Sequence, residues 1–526
     1  MGDRAGCGYT ERMSDGEIAR LYHQATGFGS GRHPRPPGVP EFVPLDPHNR
    51  PRPFKRYPRA PVRDLPTDLP PRGAPATAAL SGRVRTADPG LDMKVLARLL
   101  FFSAGVTRKA PAREQTVWFR AAPSAGNLHP VEVYVAAGAV AGLGAGLYHF
   151  APDVFGLEEL SEGDCRPAVA RAAAAPEVAA VPLVLLLTGI PWRTAWKYGE
   201  RGWRHVYWDA GAILANVLAV AEAYGVPARV LLGFVDSALC RELGIDGTAE
   251  FPVAVITIGG PGQPAGTGGW PPPRLAATPL SPAPIEFPLV TRVQRAGDLA
   301  TAEDVAAWRS AAPDELPPAR DVADPPASVP DEPIESVILR RGSTRRMRHG
   351  VVPAELLRWG MSVATRRLPA DAVPAGATLL SHRLAVHAVQ GMEPGLYSWV
   401  DGRAEPYRTA AETAVRRLSR YLCLNQPLGG DSAYTDFICA DLDRALDAYG
   451  ERGYRVAQFE AGVAAGRLQL AAFTLGHGGT GLTFSDDDVS AAFGSRDACM
   501  LAVSVGIPAY QAKPGGPPGR PSRLAW

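Results

Sequence analysis

Apolar and polar positions divide the chain into two patterned stretches, about 76–260 and about 333–510. Within each, short apolar runs alternate with segments whose apolar residues recur at helical spacing. The run Val181 to Ile190, centred on Val184-Leu185-Leu186-Leu187, predicts a buried strand. It is about half the ~20 residues needed to span a membrane. Helices are predicted over Leu91 to Leu100 and from Pro353-Ala354-Glu355-Leu356-Leu357 onward. A longer helical period in each stretch closes at Gly225 or Gly476, each placed as a C-terminal capping glycine. A short apolar strand follows, Val230-Leu231-Leu232-Gly233-Phe234 in the first and Gly481-Leu482-Thr483-Phe484 in the second. A β-rich run then ends each stretch, Val253 to Ile258 or Leu501 to Val505.

The remaining segments lack such period. Residues 1–75 form an arm rich in Pro and Arg, and 261–332 a connector containing Pro271-Pro272-Pro273 and Pro317-Pro318. One short helix is expected in the connector near Thr301, with Asp304 at capping-box spacing.

The two patterned stretches repeat each other. Tyr198-Gly199-Glu200-Arg201-Gly202-Trp203-Arg204 reappears 251 positions on as Tyr449-Gly450-Glu451-Arg452-Gly453-Tyr454-Arg455. Asp209-Ala210-Gly211 matches Glu460-Ala461-Gly462, and Gly146-Leu147-Tyr148 echoes Gly395-Leu396-Tyr397. The shared order of elements around these matches predicts a duplicated domain. A chain of 526 residues is then one unit of about 190 residues used twice, joined by the connector.

Composition narrows the function. The chain has 55 Lys+Arg against 53 Asp+Glu, which argues against a nucleic-acid binder. Only Lys55, Lys94, Lys109, Lys197 and Lys513 are lysine, so a lysine kept here stands out for its titratable ammonium. The six cysteines form no CxxC and no zinc spacing, and the opening MGDRAGCGYTERMSDGE has no apolar core of a signal peptide. A cytoplasmic protein with reduced thiols, no membrane segment and no metal site is expected. Gly476 to Gly481 reads GxGxxG, but it follows a helix and precedes a strand, the reverse of a dinucleotide fingerprint. Asp486-Asp487-Asp488 is expected to favour the N-terminus of a helix.

Two segments carry candidate chemistry. In Arg120-Ala121-Ala122-Pro123-Ser124-Ala125-Gly126-Asn127-Leu128-His129-Pro130, Ser124, Asn127 and exposed backbone groups suit the edge of a planar heterocycle; the alternative is a plain turn into the strand Val131 to Val135. In Arg340-Arg341-Gly342-Ser343-Thr344-Arg345-Arg346, guanidinium groups and hydroxyls suit a phosphate; the alternative is a solvated basic turn. Ser81-Gly82-Arg83-Val84-Arg85 is a thinner version in the first repeat.

Together these segments resemble the nitroreductase-like flavoenzymes, in particular the SagB-type (thiazole/oxazole-forming) dehydrogenase branch. The likeness rests on Pro123 to Pro130, Gly146-Leu147-Tyr148-His149, Lys197 to Arg204 with Asp209-Ala210-Gly211, and Leu232-Gly233-Phe234. It covers nearly all of 76–260 and, more loosely, 333–510; Tyr22 to Thr26 and Pro53 to Tyr57 look like the leader region of long tandem members. The resemblance implies an α+β sandwich with a mostly antiparallel sheet in each repeat, an intramolecular pseudo-dimer, and FMN as cofactor. It implies one composite site: Arg341, Ser343 and Arg345 on the phosphate, and Pro123, Ser124, Ala125, Asn127 and Gly233 around the ring. A second pocket using Arg83 and Arg85 should bind flavin weakly or not at all.

Lys197 and Tyr198 match the catalytic pair of the branch, whereas the second repeat has Ala448-Tyr449. Trp192, Trp196, Trp203, Tyr207 and Trp208 surround Lys197 in sequence and are expected to desolvate it and to wall the substrate site. The implied activity is dehydrogenation of an azoline-type or peptide-derived substrate in natural-product biosynthesis. The alternatives are an NAD(P)H-dependent nitro, quinone or ene reductase, and a flavin- or peptide-binding partner without turnover. A protein that binds a leader peptide, and further homo-oligomerisation, remain open as partners.

Overall fold

The computed structural model describes residues 16–31, 36, 39, 44–85, 90–112, 115–138, 140–262, 270–311, 313, 316–374 and 376–524. Cys7, the start of the chain and Ala375 lie outside them. Two mixed α+β layers are built on antiparallel sheets whose six principal strands run in the same spatial order. In the first the order is Gly156–Glu162, Gly146–Ala151, Val131–Ala137, Leu183–Gly189, Phe251–Ile258, Ala228–Leu231, with the arm strand Val62–Asp64 added at the edge. In the second it is Arg403–Thr409, Gly395–Val400, Leu380–Val386, Tyr434–Ala440, Ala498–Pro508, Gly478–Leu482, with Met347–Arg348 also pairing Ala498–Pro508. Leu183–Gly189 is buried at every position, which is why its sequence is a continuous apolar run rather than an alternating one.

Each half contributes one long core helix, Gly202–Ala223 or Arg452–Thr474, and these two pack against each other along the molecule's centre. They cross where the repeated glycines fall. A Cβ on Gly211 would lie 2.3 Å from the Phe459 carbonyl oxygen, and one on Gly462 2.4 Å from that of Trp208. The glycine of the repeated Asp/Glu-Ala-Gly motif is therefore the contact that lets two backbones meet. Pro191–Ala223 is long and apolar enough by composition to cross a membrane, but 89% of its apolar window is buried inside the fold.

The arginines of the repeated Gly-Glu-Arg motif reach across this interface reciprocally. Arg201 and Arg204 donate to Asp486 at 2.9 and 2.5 Å, and Arg452 and Arg455 donate to Asp236 at 2.7 and 2.8 Å. Asp486 does begin the helix Asp486–Ala492, but its carboxylate is buried between two guanidinium groups, so its main work is ion pairing across halves.

The glutamates of the same motif cap helices from the non-repeating segments. Glu451 accepts from the amides of Ile18 and Ala19 at the start of the arm helix Glu17–Ala25. Glu200 accepts from Val290 at the start of Pro288–Ala296. The correspondence between halves thus reaches into the arm and the connector, beyond the boundaries at 76 and 333. Among its described residues the connector holds two helices where one is expected: Ala302–Ser310, with the expected Thr301–Asp304 capping box, and Pro288–Ala296, which opens on a proline. The strand Ser522–Arg523 pairs in parallel with Val106–Ala112 of the first half.

Candidate active site

The turn after the strand Gln115–Arg120 forms one wall. Gly126 and Asn127 both take left-handed backbone conformations, at φ 61° and 59°. A side chain on Gly126 would also meet the Tyr198 hydroxyl, 2.7 Å from where a Cβ would stand. The turn is pinned from within. Asn127 donates through Nδ2 to the Trp118 carbonyl at 2.8 Å, and its Oδ1 lies 3.0 Å from His129 Nε2. The His129 amide donates to Ser124 Oγ, and the Ala125 amide to Asp209 Oδ1 at 3.1 Å. Asn127, expected at the flavin ring, thus spends its amide on the turn.

This wall faces residues of the other half across a pocket of about 330 Å³. Pro123, Ser124, Ala125, Lys197, Tyr198 and Asp209 come from the first half; Ser343, Arg345, Gln469 and Gly481 to Thr483 come from the second. An adjoining cavity of about 720 Å³ shares Pro123, Ser124, Ser343 and Arg345, and adds Asn127, Arg341, Arg108 and Lys513. Of the expected site residues, all but Gly233 meet at these two cavities.

Arg341 is only 3% exposed and has no carboxylate partner among the described residues. Its Nη2 donates to the Ala121 carbonyl at 2.8 Å, while Nε and Nη1 are buried with no acceptor among the described residues. Burial, with Arg108 nearby, pushes its pKa down. A buried, unpaired cation calls for an anion. Gln469 Oε1 and Asp209 Oδ2, at the pocket wall, are likewise buried without hydrogen-bond partners among the described residues. This donor and acceptor set fits a phosphate-bearing heterocycle such as FMN: Arg341, Ser343 and Arg345 for the anion, and Gln469, Asp209 and the Pro123–Gly126 turn for the ring.

Lys197 sits at the pocket edge, its Nζ 5.2 Å from the Tyr198 ring centre. It is exposed rather than enclosed by aromatics. Partial burial, and then Arg345 and Arg50, lower its pKa. Burial raises the Tyr198 pKa to about 12, with Asp209 adding to the rise. The neighbouring aromatics mostly anchor other segments. Trp192 donates to Ser281, Trp196 to the Asp46 carbonyl, and Trp203 and Tyr207 to Gln294. Among these aromatic residues only Tyr198 and Trp208 line the pocket.

Gly233 belongs elsewhere. Its counterpart Thr483 lines the pocket, because each short strand faces the turn of the opposite half. Gly233 instead marks the equivalent place in the other orientation, and that place is filled. A Cβ on Gly233 would lie 2.8 Å from the Trp308 ring, which packs against Tyr449 with centroids 5.5 Å apart. Arg309 donates to the carbonyls of Gly233, Ala173 and Ala174 and to Asp371, whose carboxylate takes the amides of Leu232 and Gly233. Arg366 lies against Gly82, and Arg83 is engaged by Asp324 and the Val322 carbonyl. Arg85 is exposed.

Sequence reasoning passed over Asp209, Gln469 and Trp308. Asp209 carried a signal, a carboxylate in an apolar helix matched by Glu460 at the same offset. Among the described residues no group of three His, Cys, Asp or Glu side chains could hold a metal ion, and the five described cysteines are free.

Comparison with known proteins agrees with this architecture. A solved structure of a predicted nitroreductase from Anabaena variabilis superposes with a TM-score of 0.72 at 25% identity, covering 93% of this chain and 99% of that one. A predicted nitroreductase of Methanocaldococcus jannaschii is 28% identical over 170 residues, 32% of this chain and 81% of the relative. The sequence model of the nitroreductase family matches residues 85–260, so the first half of the chain carries a nitroreductase-family domain.

Proposed function

We propose that the chain is an FMN-dependent oxidoreductase, a tandem duplicate folded as an intramolecular pseudo-dimer with one composite flavin site. The observation that carries this reading is the pocket itself. Residues of both halves line it, a buried unpaired Arg341 stands at its anionic end, and Lys197 and Tyr198 stand at its edge. Its counterpart is filled by Trp308, Arg309 and Asp371. Bound FMN would supply a two-electron acceptor. The protein's own part is acid–base and positional. Lys197, with its pKa lowered, takes a carbon-bound proton from the substrate, and Tyr198, kept protonated, donates a hydrogen bond. A base beside the pocket favours dehydrogenation of an azoline-type or peptide-derived substrate.

The likeness to predicted nitroreductases supports a second reading, reduction of nitro, quinone or ene groups by NAD(P)H. The visible spectrum of the purified protein, with the FMN-to-chain ratio after denaturation, tests the common core. A ratio near one is expected; two per chain refutes the single site, and absence of flavin binding refutes the enzyme. Bleaching of the bound flavin by an azoline peptide rather than by NAD(P)H separates the two activities.

A further inference from the structure

Asp209 lies near the start of the first core helix, 5% exposed, with its carboxyl at the pocket. Its two oxygens are used unequally. Oδ1 accepts the Ala125 amide at 3.1 Å, while Oδ2 is buried and accepts no hydrogen bond among the described residues. The other half supplies an internal control. Glu460 occupies the equivalent position, 7% exposed, and spends both oxygens on its own turn: the Thr378 hydroxyl at 2.6 Å and the Leu379 amide at 3.0 Å. The half whose carboxylate is satisfied faces the filled place. The half with the shorter side chain, and a spare oxygen, faces the open pocket.

Resting on the FMN reading, we propose that Asp209 is a positioning residue: one oxygen fixes the Ser124–Ala125 turn, and the other accepts a hydrogen bond from a ring N–H of the bound heterocycle. A buried carboxylate oxygen without a donor is unfavourable, and an imide N–H answers it. The electrostatics agree with this geometry. Burial raises the Asp209 pKa to about 7, against the opposing pull of Ser124, the Ala125 amide and Arg120.

The groups that face Asp209 are Arg120 before the turn, His129 after it, Lys197 and Tyr198 on the preceding helix, His205 on its own helix, and Arg345 across the pocket. Burial holds His129 and His205 well below the usual histidine range, and Tyr198 sits at about 12. Lys197, its pKa lowered by burial and by Arg345 and Arg50, is common to all three proteins compared below, so Asp209 is the titrating group that the substitutions change. A ligand donor favours its ionised form, so affinity rises as pH rises through its value in the free protein.

The test is FMN titration of the apo-chain by flavin fluorescence quenching at pH 6 and pH 8, for wild type, Asp209→Asn and Asp209→Glu. Wild type should bind about tenfold tighter at pH 8 than the variants' own pH trend accounts for. The flavin phosphate, ionising near ~6, contributes equally to all three proteins and cancels. Asp209→Asn removes the titration. Asp209→Glu reproduces the arrangement at Glu460, consuming both oxygens, and should remove the extra pH dependence while preserving the fold; it carries the test if circular dichroism finds the Asn protein unfolded. Equal pH trends in wild type and Asp209→Glu overturn the role of Asp209 and leave the FMN reading intact. Failure of wild type to bind FMN at either pH overturns both.

Discussion

Asp486→Ala should be among the most damaging substitutions outside the pocket. The Asp486 carboxylate accepts from Arg201 at 2.9 Å and Arg204 at 2.5 Å, and all three side chains are less than 5% exposed. Removing the acid leaves two guanidinium groups buried with no countercharge. Breaking a buried pair costs about 3–5 kcal/mol, because the stranded charge stays in the interior. For a cooperative unit of 150–250 residues this corresponds to a fall of roughly 6–20 °C in the unfolding midpoint. The sign with pH follows from the lowered pKa of Asp486, about 2 in the fold against 3.8. Its contribution is fully present above 3.8 and is lost as pH falls toward 2. Differential scanning calorimetry at pH 7 and at pH 3 measures both effects, and the gap between wild type and variant should narrow at the lower pH. A midpoint at pH 7 within 2 °C of wild type would refute the reasoning.

At the phosphate end, Arg341→Gln should weaken FMN binding by about 10²-fold or more, measured by fluorescence quenching, since a charged partner of a buried anion is worth several kcal/mol. Lys197→Ala should retain FMN at one per chain and lose about 10²–10⁴-fold in turnover, with loss of the pH-rate limb that reports the lysine. Trp308→Ala should destabilise the protein by about 3–5 kcal/mol in chemical denaturation yet leave the FMN ratio at one, because Arg309 and Asp371 still occupy that place. Asp209→Asn should raise stability at pH 8 and not at pH 3. The Asp209 pKa is raised in the fold, so ionising it costs stability as pH climbs from 3.8 through about 7.

Local order was largely legible in the sequence. The apolar run at Val181 to Ile190, the helix closed by Gly225, the Thr301 cap and the repeated Tyr-Gly-Glu-Arg motif all depend on neighbours within a few residues. Their long-range partners were not legible. Nothing local tells that Arg204 meets Asp486, or that Gly211 meets a backbone from the other half. Gly233 stands apart from the two cavities for the same reason: the strand type is local, but which turn it faces is decided by how the halves cross. The aromatics around Lys197 misled because a tryptophan that anchors a connector and one that walls a substrate look alike in sequence. The filled second place was hidden because its plug, Trp308 and Arg309, comes from the connector, outside the repeating pattern.

The reciprocal arginine clamps also set a timetable for synthesis. Arg201 and Arg204 leave the ribosome 285 and 282 residues before Asp486. At about 5–20 residues per second, the nascent first half waits roughly 15–55 s with both guanidinium groups and its helix-crossing face uncovered. During that interval it is an incomplete molecule and a natural client for chaperones. The strand Ser522–Arg523, which pairs with Val106–Ala112, emerges later still than Asp486.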